Sequence, residues 1–272
     1  MKFIDKDNVE GVERNIVENT SMYVIKNNTK SLVLGVSGGI DSCVIACLAK
    51  EVCNITGIKL IGISLPSKSN KDDEVSRAMA ISGLLCDSSY AIPVNNLEYA
   101  FRCTSPVFWN GLTREENIRI GNIKARIRMI ILYHYAHLNN GIVLSTDNYT
   151  EYLLGFWTLH GDVGDYGMIQ ELFKTEVYEI AKFYRDIIYK DENVSEWINS
   201  CINAVPTDGL GITDSDFDQI GAESYEEVDD ILVRYMRGDE TLDTTHPVIQ
   251  MVERTRFKRD NPHNLKREEI VK

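Results

Sequence analysis

The apolar run Ser31-Leu32-Val33-Leu34-Gly35-Val36 passes directly into Ser37-Gly38-Gly39-Ile40-Asp41-Ser42 and then into helical periodicity over 41–52. A strand that ends in a glycine-rich turn and feeds a helix aims several backbone N–H groups and the positive end of the helix dipole at one point, which suits an anion. Gly38 and Gly39 allow close approach and a left-handed backbone, and the Ser37 and Ser42 hydroxyls can donate to phosphate oxygens. A plain strand-to-helix turn with an aspartate cap would account for the glycines and Asp41, but not for the two flanking serines. A carboxylate beside a phosphate is repulsive unless a divalent cation lies between them, so Asp41 calls for Mg²⁺ bridging to the pyrophosphate part of ATP. The loop lacks the Gly-Lys-Ser/Thr ending of loops that hold a transferable γ-phosphate. Attack at the α-phosphate is therefore the expected chemistry.

Leu60-Ile61-Gly62-Ile63-Ser64-Leu65 and Gly141-Ile142-Val143-Leu144-Ser145 repeat the doubly buried strand pattern. Helical stretches at 41–52, 72–85 and 115–138 lie between these strands, and another at 9–25 precedes the first. Alternating β and α units predict an α/β fold, a doubly wound, mostly parallel sheet flanked by helices. Residues 1–272 read as a single domain, with further helices at 172–188, 225–236 and 247–257 and a loosely held tail from about 258. The Gly- and Asp-rich stretch after 155 and the loop over 205–221 are lid candidates.

Composition narrows the partners. The 272 residues carry 29 basic and 41 acidic side chains, a net charge of -12, which repels a nucleic-acid backbone. The six cysteines form no Cys-x-x-Cys pair, so a reduced, cytoplasmic protein is expected. No apolar run approaches the roughly 20 residues of a membrane span, and the first residues lack a signal peptide's apolar stretch.

Ser37-Gly38-Gly39-Ile40-Asp41-Ser42 resembles the signature of the N-type ATP pyrophosphatases, a superfamily with the adenine nucleotide alpha hydrolase-like fold. Further blocks are similar to ammonia-dependent NAD synthetases: Gly121-Asn122-Ile123-Lys124-Ala125-Arg126-Ile127-Arg128-Met129, Ser145-Thr146-Asp147-Asn148 with Glu151, Gly155-Phe156-Trp157-Thr158, and Gly161-Asp162. Leu172-Phe173-Lys174, Pro206-Thr207-Asp208-Gly209-Leu210 and Tyr225-Glu226-Glu227-Val228-Asp229-Asp230 follow in the family's order. The resemblance implies a ligase that adenylates the nicotinate carboxylate of deamido-NAD with ATP, releases pyrophosphate, and lets ammonia displace AMP to give NAD.

The same resemblance implies roles residue by residue. Asp41 and Glu151 correspond to the Mg²⁺ ligands, although Glu151 taken alone reads as a solvated carboxylate. Lys174 corresponds to the phosphate-binding lysine; unaided, it reads as an exposed helix residue. Thr146 and Thr207 correspond to ATP contacts, and Arg126 to a deamido-NAD contact whose bland reading is a solvated helix face. Asp162 is expected to orient ammonia or take its proton, and reads equally as a turn aspartate.

Some positions depart from the family pattern. Leu159 stands where a lysine is common and Tyr166 where an aspartate is common, both at deamido-NAD contacts, while Phe257-Lys258 replaces His-Lys. The family's ammonia-dependent enzymes are homodimers, and the helices at 9–25 and 115–138 are candidate contacts. Free ammonia is expected as the nitrogen donor, because the chain has no room for a preceding glutaminase domain. Two rival readings remain: a different pyrophosphate-releasing enzyme, amidating or tRNA-modifying, and a non-catalytic nucleotide-binding paralogue. The acidic balance opposes a tRNA substrate, and Asp41, Glu151 and Lys174 together oppose a non-catalytic role.

Overall fold

The computed structural model describes residues 3–104, 113–190, 192–207 and 215–271. Helix α1 (Val9–Lys26) leads into β1 (Ser31–Gly35), α2 (Ile40–Thr56), β2 (Lys59–Ser64), α3 (Asp72–Leu85) and β3 (Ser88–Ala91). Then come α4 (Asn95–Thr104), the long α5 (Arg114–Leu138), β4 (Gly141–Ser145), α6 (Tyr149–Leu154) and the two-residue β5 (Tyr166–Gly167). The remainder is helical: α7 (Lys174–Phe183) with a π-helical continuation at Tyr184–Ile188, α8 (Asn193–Ile202), α9 (Asp216–Ile220), α10 (Tyr225–Met236), α11 (Pro247–Arg254), α12 (Arg256–Arg259) and α13 (Arg267–Ile270).

The strands align in the order β3-β2-β1-β4-β5, and every pairing among the described residues is parallel. Leu32 lies beside Leu60 and Ile142, and Val33 beside Ile61 and Val143. Because side chains alternate across a strand, this register sorts the apolar residues onto two faces. Leu32, Leu34, Leu60 and Leu144 pack against α1, α2, α7 and α8, whereas Val33, Ile61, Ile63 and Val143 pack under α5. Each fully buried aliphatic side chain contributes about 1.5–3 kcal/mol, so the central strands are held from both sides. A third cluster joins Leu154, Phe173, Val228, Leu232 and Val248 where α6, α10 and α11 meet.

The expected doubly wound sheet is present, and parallel throughout. Strands β3 and β5 have no counterpart in the sequence reading. Ser89, Tyr90 and Ala91 of β3 are exposed at a sheet edge and lack the buried apolar run that marks β1, and β5 is too short for a periodic pattern. The stretch read as loop over 205–221 contains α9, started by Ser215, whose hydroxyl accepts from Phe217 N at 3.2 Å. Asp208, Gly209 and Leu210 of the expected ATP-contact block lie outside the described residues. At the carboxyl end, Lys258 and Arg259 are anchored by hydrogen bonds to the carbonyls of Gly155, Trp157, Leu153 and Val252. Continuous exposure begins at Asp260, two residues beyond the expected start of the tail.

Candidate active site

The cleft opens at the carboxyl ends of β1, β2 and β4. From β1 the chain proceeds to β2 and β3 on one side and returns to β4 and β5 on the other, which makes the β1–β4 junction a topological switch point, where open parallel sheets hold ligands. The cavity there measures about 470 Å³. It is lined by every residue from Gly35 to Ser42 and by Thr146, Glu151, Asp162, Lys174, Thr207 and Lys258. Arg126, Leu159, Tyr166 and Phe257 are not among its lining.

The loop between β1 and α2 is internally bonded. Ser42 Oγ accepts from Ser37 N at 3.2 Å and donates to Gly39 O at 3.1 Å, and Gly39 N donates to Ser37 Oγ at 3.2 Å. Gly38 has φ +85°, and a Cβ there would lie 2.2 Å from Glu74 O. Conformation and contact both require glycine at that position.

Asp41, in the first turn of α2, meets residues from two distant elements. Lys174 Nζ donates to Asp41 Oδ2 at 2.5 Å and to Glu151 Oε1 at 3.1 Å, and the lysine is only 3% exposed. Burial opposes its charge most strongly, but Asp41 and then Glu151 outweigh that effect and hold its pKa well above the ordinary lysine value. Burial raises the Glu151 carboxyl to about 8 against the pull of Lys174. With both acids ionised, the three groups carry one net negative charge.

Local folding rules explain why Glu151 points here. Asn148 is the N-cap of α6: its Oδ1 accepts from Glu151 N at 3.0 Å, and Glu151 Oε2 accepts from Asn148 N at 3.4 Å, a reciprocal capping box. The other half of the Asn148 amide donates to Asp41 Oδ1 at 2.9 Å. Lys174 is set by a separate device. Thr150 Oγ1 accepts from Lys174 N at 2.8 Å and donates to Asp229 Oδ1 at 2.5 Å, while Asp229 Oδ2 accepts from Thr175 N at 2.9 Å. The buried Asp229 of α10 thereby satisfies the first turn of α7. Asn148, Thr150 and Asp229 were not assigned roles from the sequence; only the Asn-x-x-Glu spacing carried a local signal for one of them.

Two further carboxylates face the cleft. Asp147 is buried, accepts from Ser145 Oγ at 3.1 Å, and has its pKa raised to about 7 by burial and then by Asp162. Asp162 accepts from Thr158 N and is likewise raised, chiefly by burial. Lys258 lies opposite, its Nζ donating to Gly155 O at 2.7 Å and Trp157 O at 2.5 Å, and its pKa is lowered mainly by burial. Thr207 Oγ1 donates to Glu74 Oε1 at 2.7 Å, bringing the start of the second lid candidate to the cleft.

The remaining expected substrate residues sit elsewhere. Arg126 is exposed and donates through Nε to Leu159 O at 3.2 Å. Tyr166 turns towards α1, where its hydroxyl accepts from Thr20 Oγ1 at 3.3 Å and its ring lies 4.5 Å from that of Tyr23. Phe257 is 63% exposed.

One cation already bridges Asp41 and Glu151, so their oxygens converge. Two hard carboxylate donors, with phosphate oxygens and water completing the shell, suit Mg²⁺, which rarely occupies an all-protein cage. No group of three or more His, Cys, Asp or Glu residues placed to hold a metal occurs among the described residues.

A parallel sheet with a glycine-rich loop at its switch point and a carboxylate pair beside it defines a fold of the adenine nucleotide alpha hydrolase-like class. Within that class the chain belongs to the NAD synthase family, whose profile matches residues 12–262. It is 36% identical over 216 residues to an NH(3)-dependent NAD(+) synthetase from Finegoldia magna, covering 76% of this chain and 77% of that one. A Methanocaldococcus jannaschii NH(3)-dependent NAD(+) synthetase is 31% identical and covers 94% of this chain and 96% of its own. Among solved structures, an NMN synthetase from Francisella tularensis superposes with a TM-score of 0.77 at 26% identity, covering 95% and 97% of the two chains.

Proposed function

We infer that this chain is an ATP-dependent ligase that amidates deamido-NAD with ammonia, giving NAD, AMP and pyrophosphate. The family membership supports the reaction, and one observation supports its placement: Asp41, Glu151 and Lys174 converge beside a phosphate loop that has no γ-phosphate lysine of its own. In the first step a carboxylate oxygen of the acceptor bonds to the α-phosphorus of ATP and the bond to pyrophosphate breaks. In the second, ammonia's nitrogen bonds to the acyl carbon, AMP leaves, and a proton is lost.

The loop amides at 37–42 hold the departing pyrophosphate at the positive end of α2, and preorganised donors of this kind act where charge develops. Lys174 supplies a compact positive charge to the same group. Asp41 and Glu151 would hold Mg²⁺, whose chemistry is to neutralise phosphate charge and polarise phosphoryl oxygens. Thr146 and Thr207 offer hydroxyls to ATP from just past the end of β4 and from the second loop. Asp162, enclosed near Lys258, is the proposed group for orienting ammonia and accepting its proton.

Arg126, Leu159, Tyr166, Phe257 and Lys258 are proposed to receive the acceptor. All but Lys258 lie outside the cleft, which accords with a homodimer in which the neighbouring subunit completes that half. A cytoplasmic enzyme is the accompanying proposal; no helix among the described residues is long and apolar enough to cross a membrane.

The test is to supply purified protein with ATP, Mg²⁺, deamido-NAD and ammonium and to score NAD, AMP and pyrophosphate. ADP in place of AMP sinks the reading. The likeness to an NMN synthetase, with Tyr166 held against α1, favours a second acceptor class: a single nucleotide bearing the same nicotinate carboxylate. A higher kcat/KM for nicotinate mononucleotide than for deamido-NAD would establish it.

A further inference from the structure

The phosphate loop is gripped from behind by a cation outside the Asp41–Glu151–Lys174 group. Arg77, on α3, is 7% exposed and lines the cleft. Its Nε donates to Gly38 O at 2.9 Å, and its Nη1 pairs with Asp73 Oδ2 at 2.7 Å. Cys201 Sγ, on α8, approaches the same Gly38 carbonyl at 3.6 Å. Gly38 itself lies so close to the α3 backbone that a Cβ there would meet Glu74 O at 2.2 Å.

A trans peptide is planar, with its carbonyl and the following N–H pointing opposite ways. Committing Gly38 O to the α3 and α8 side therefore turns Gly39 N–H to the other side. There its partner is the hydroxyl of Ser37, an exposed residue of the same loop. That amide is thus presented where an anion's oxygen can replace an internal hydroxyl.

Charge points the same way. Lys174 is already paired with Asp41 and Glu151, whereas among the described residues Arg77 pairs with Asp73, whose side chain is 66% exposed and screened by water. A guanidinium keeps its proton at all ordinary pH. Arg77 thus places a lasting positive charge one hydrogen bond behind the loop.

We propose that Arg77 is a positioning residue for ATP: it fixes the Gly38 carbonyl away from the cleft, keeps the Gly39 amide directed at phosphate, and offsets part of the phosphate charge. The proposal deepens the ATP-site reading and rests on it. Because Arg77 acts through the loop, its effect falls on the nucleotide and not on the acceptor or ammonia.

The experiment is steady-state kinetics and calorimetric ATP binding on the full chain carrying Arg77→Met, Arg77→Lys or Asp73→Asn. Losing a charge-assisted hydrogen bond is expected to raise KM and Kd for ATP about tenfold or more in Arg77→Met, with KM for deamido-NAD and ammonium unchanged. Arg77→Lys should recover part of the loss, since it keeps the charge without the planar fork, and Asp73→Asn should leave ATP affinity at the wild-type value. A folded Arg77→Met protein with wild-type ATP affinity overturns the proposal, as does a parallel rise in all three KM values. Should Arg77→Met fail to fold, Arg77→Lys decides: unchanged ATP affinity overturns the role, and a selective loss supports it. A wild-type chain that binds ATP yet forms no AMP would sink the ligase reading, while a selective loss of ATP affinity in the Arg77 variants would still support this role.

Discussion

The two halves of the site are built differently. At the proposed ATP site, side chains from α2, α6, α7 and α10 meet in a network in which Asp41, Asn148, Glu151, Thr150, Lys174 and Asp229 hold one another through hydrogen bonds of 2.5 to 3.4 Å. On the proposed acceptor side, Arg126 and Phe257 are exposed, the Leu159 carbonyl accepts from Arg126, and Tyr166 is occupied with α1. A network of buried polar groups has few alternative arrangements, because each lost partner leaves another group unsatisfied. A surface of exposed side chains can vary at small energetic cost. The network around Asp41 and Lys174 is therefore the harder of the two to alter, and the exposed surface proposed for the acceptor the easier.

This contrast is breakable. The largest effect is expected from Lys174→Met or Asp41→Asn, each lowering kcat/KM for ATP by about a hundredfold or more, read as AMP release. If either costs no more than a substitution at Leu159, the contrast fails.

Next comes the pH dependence of stability. Asp147 titrates near 7 when folded against an ordinary 3.8, raised first by burial and then by Asp162. Between those values the native state binds more protons than the unfolded one, so stability falls as pH rises through about 4 to 7, and the penalty is complete above 7. Asp147→Asn should flatten this slope, worth about 2–4 kcal/mol at most, in urea midpoints measured from pH 4 to 8. A variant with an unaltered slope would show that Asp147 ionises freely.

Thr150→Val removes the link between Lys174 N and Asp229. A loss of about 1–2 kcal/mol in stability is expected, with a kcat decrease exceeding any change in KM for deamido-NAD. Equal changes in both halves would argue against a device confined to ATP.

The smallest effect belongs to Leu159→Lys. An added exposed charge is worth roughly 0–1 kcal/mol, so KM for deamido-NAD should fall by no more than about fivefold, with ATP parameters unmoved. A larger gain would show that this position already faces bound acceptor.

The sequence revealed much of the fold because its central strands are buried on both faces and flanked by long crossover helices, a pattern carried by adjacent residues. It missed β3 and β5, where an exposed edge and a two-residue pairing leave no periodic trace. The glycine-rich turn was legible for the same reason as β1: it lies in eight consecutive residues. Arg77, Asn148 and Asp229 were passed over because each acquires its role from a partner far along the chain, 39 residues for Arg77 and Gly38, 107 for Asn148 and Asp41, and 79 for Asp229 and Thr150.

Local sequence therefore determined the strand–loop–helix turn, since backbone geometry and glycine placement are properties of neighbouring residues. Tertiary structure decided that Lys174 lies between Asp41 and Glu151, that Arg77 reaches Gly38, and that Tyr166 turns to α1. Those arrangements depend on how helices dock on the sheet, and a hydrogen bond between distant residues exists only once packing has brought its two ends within about 3 Å.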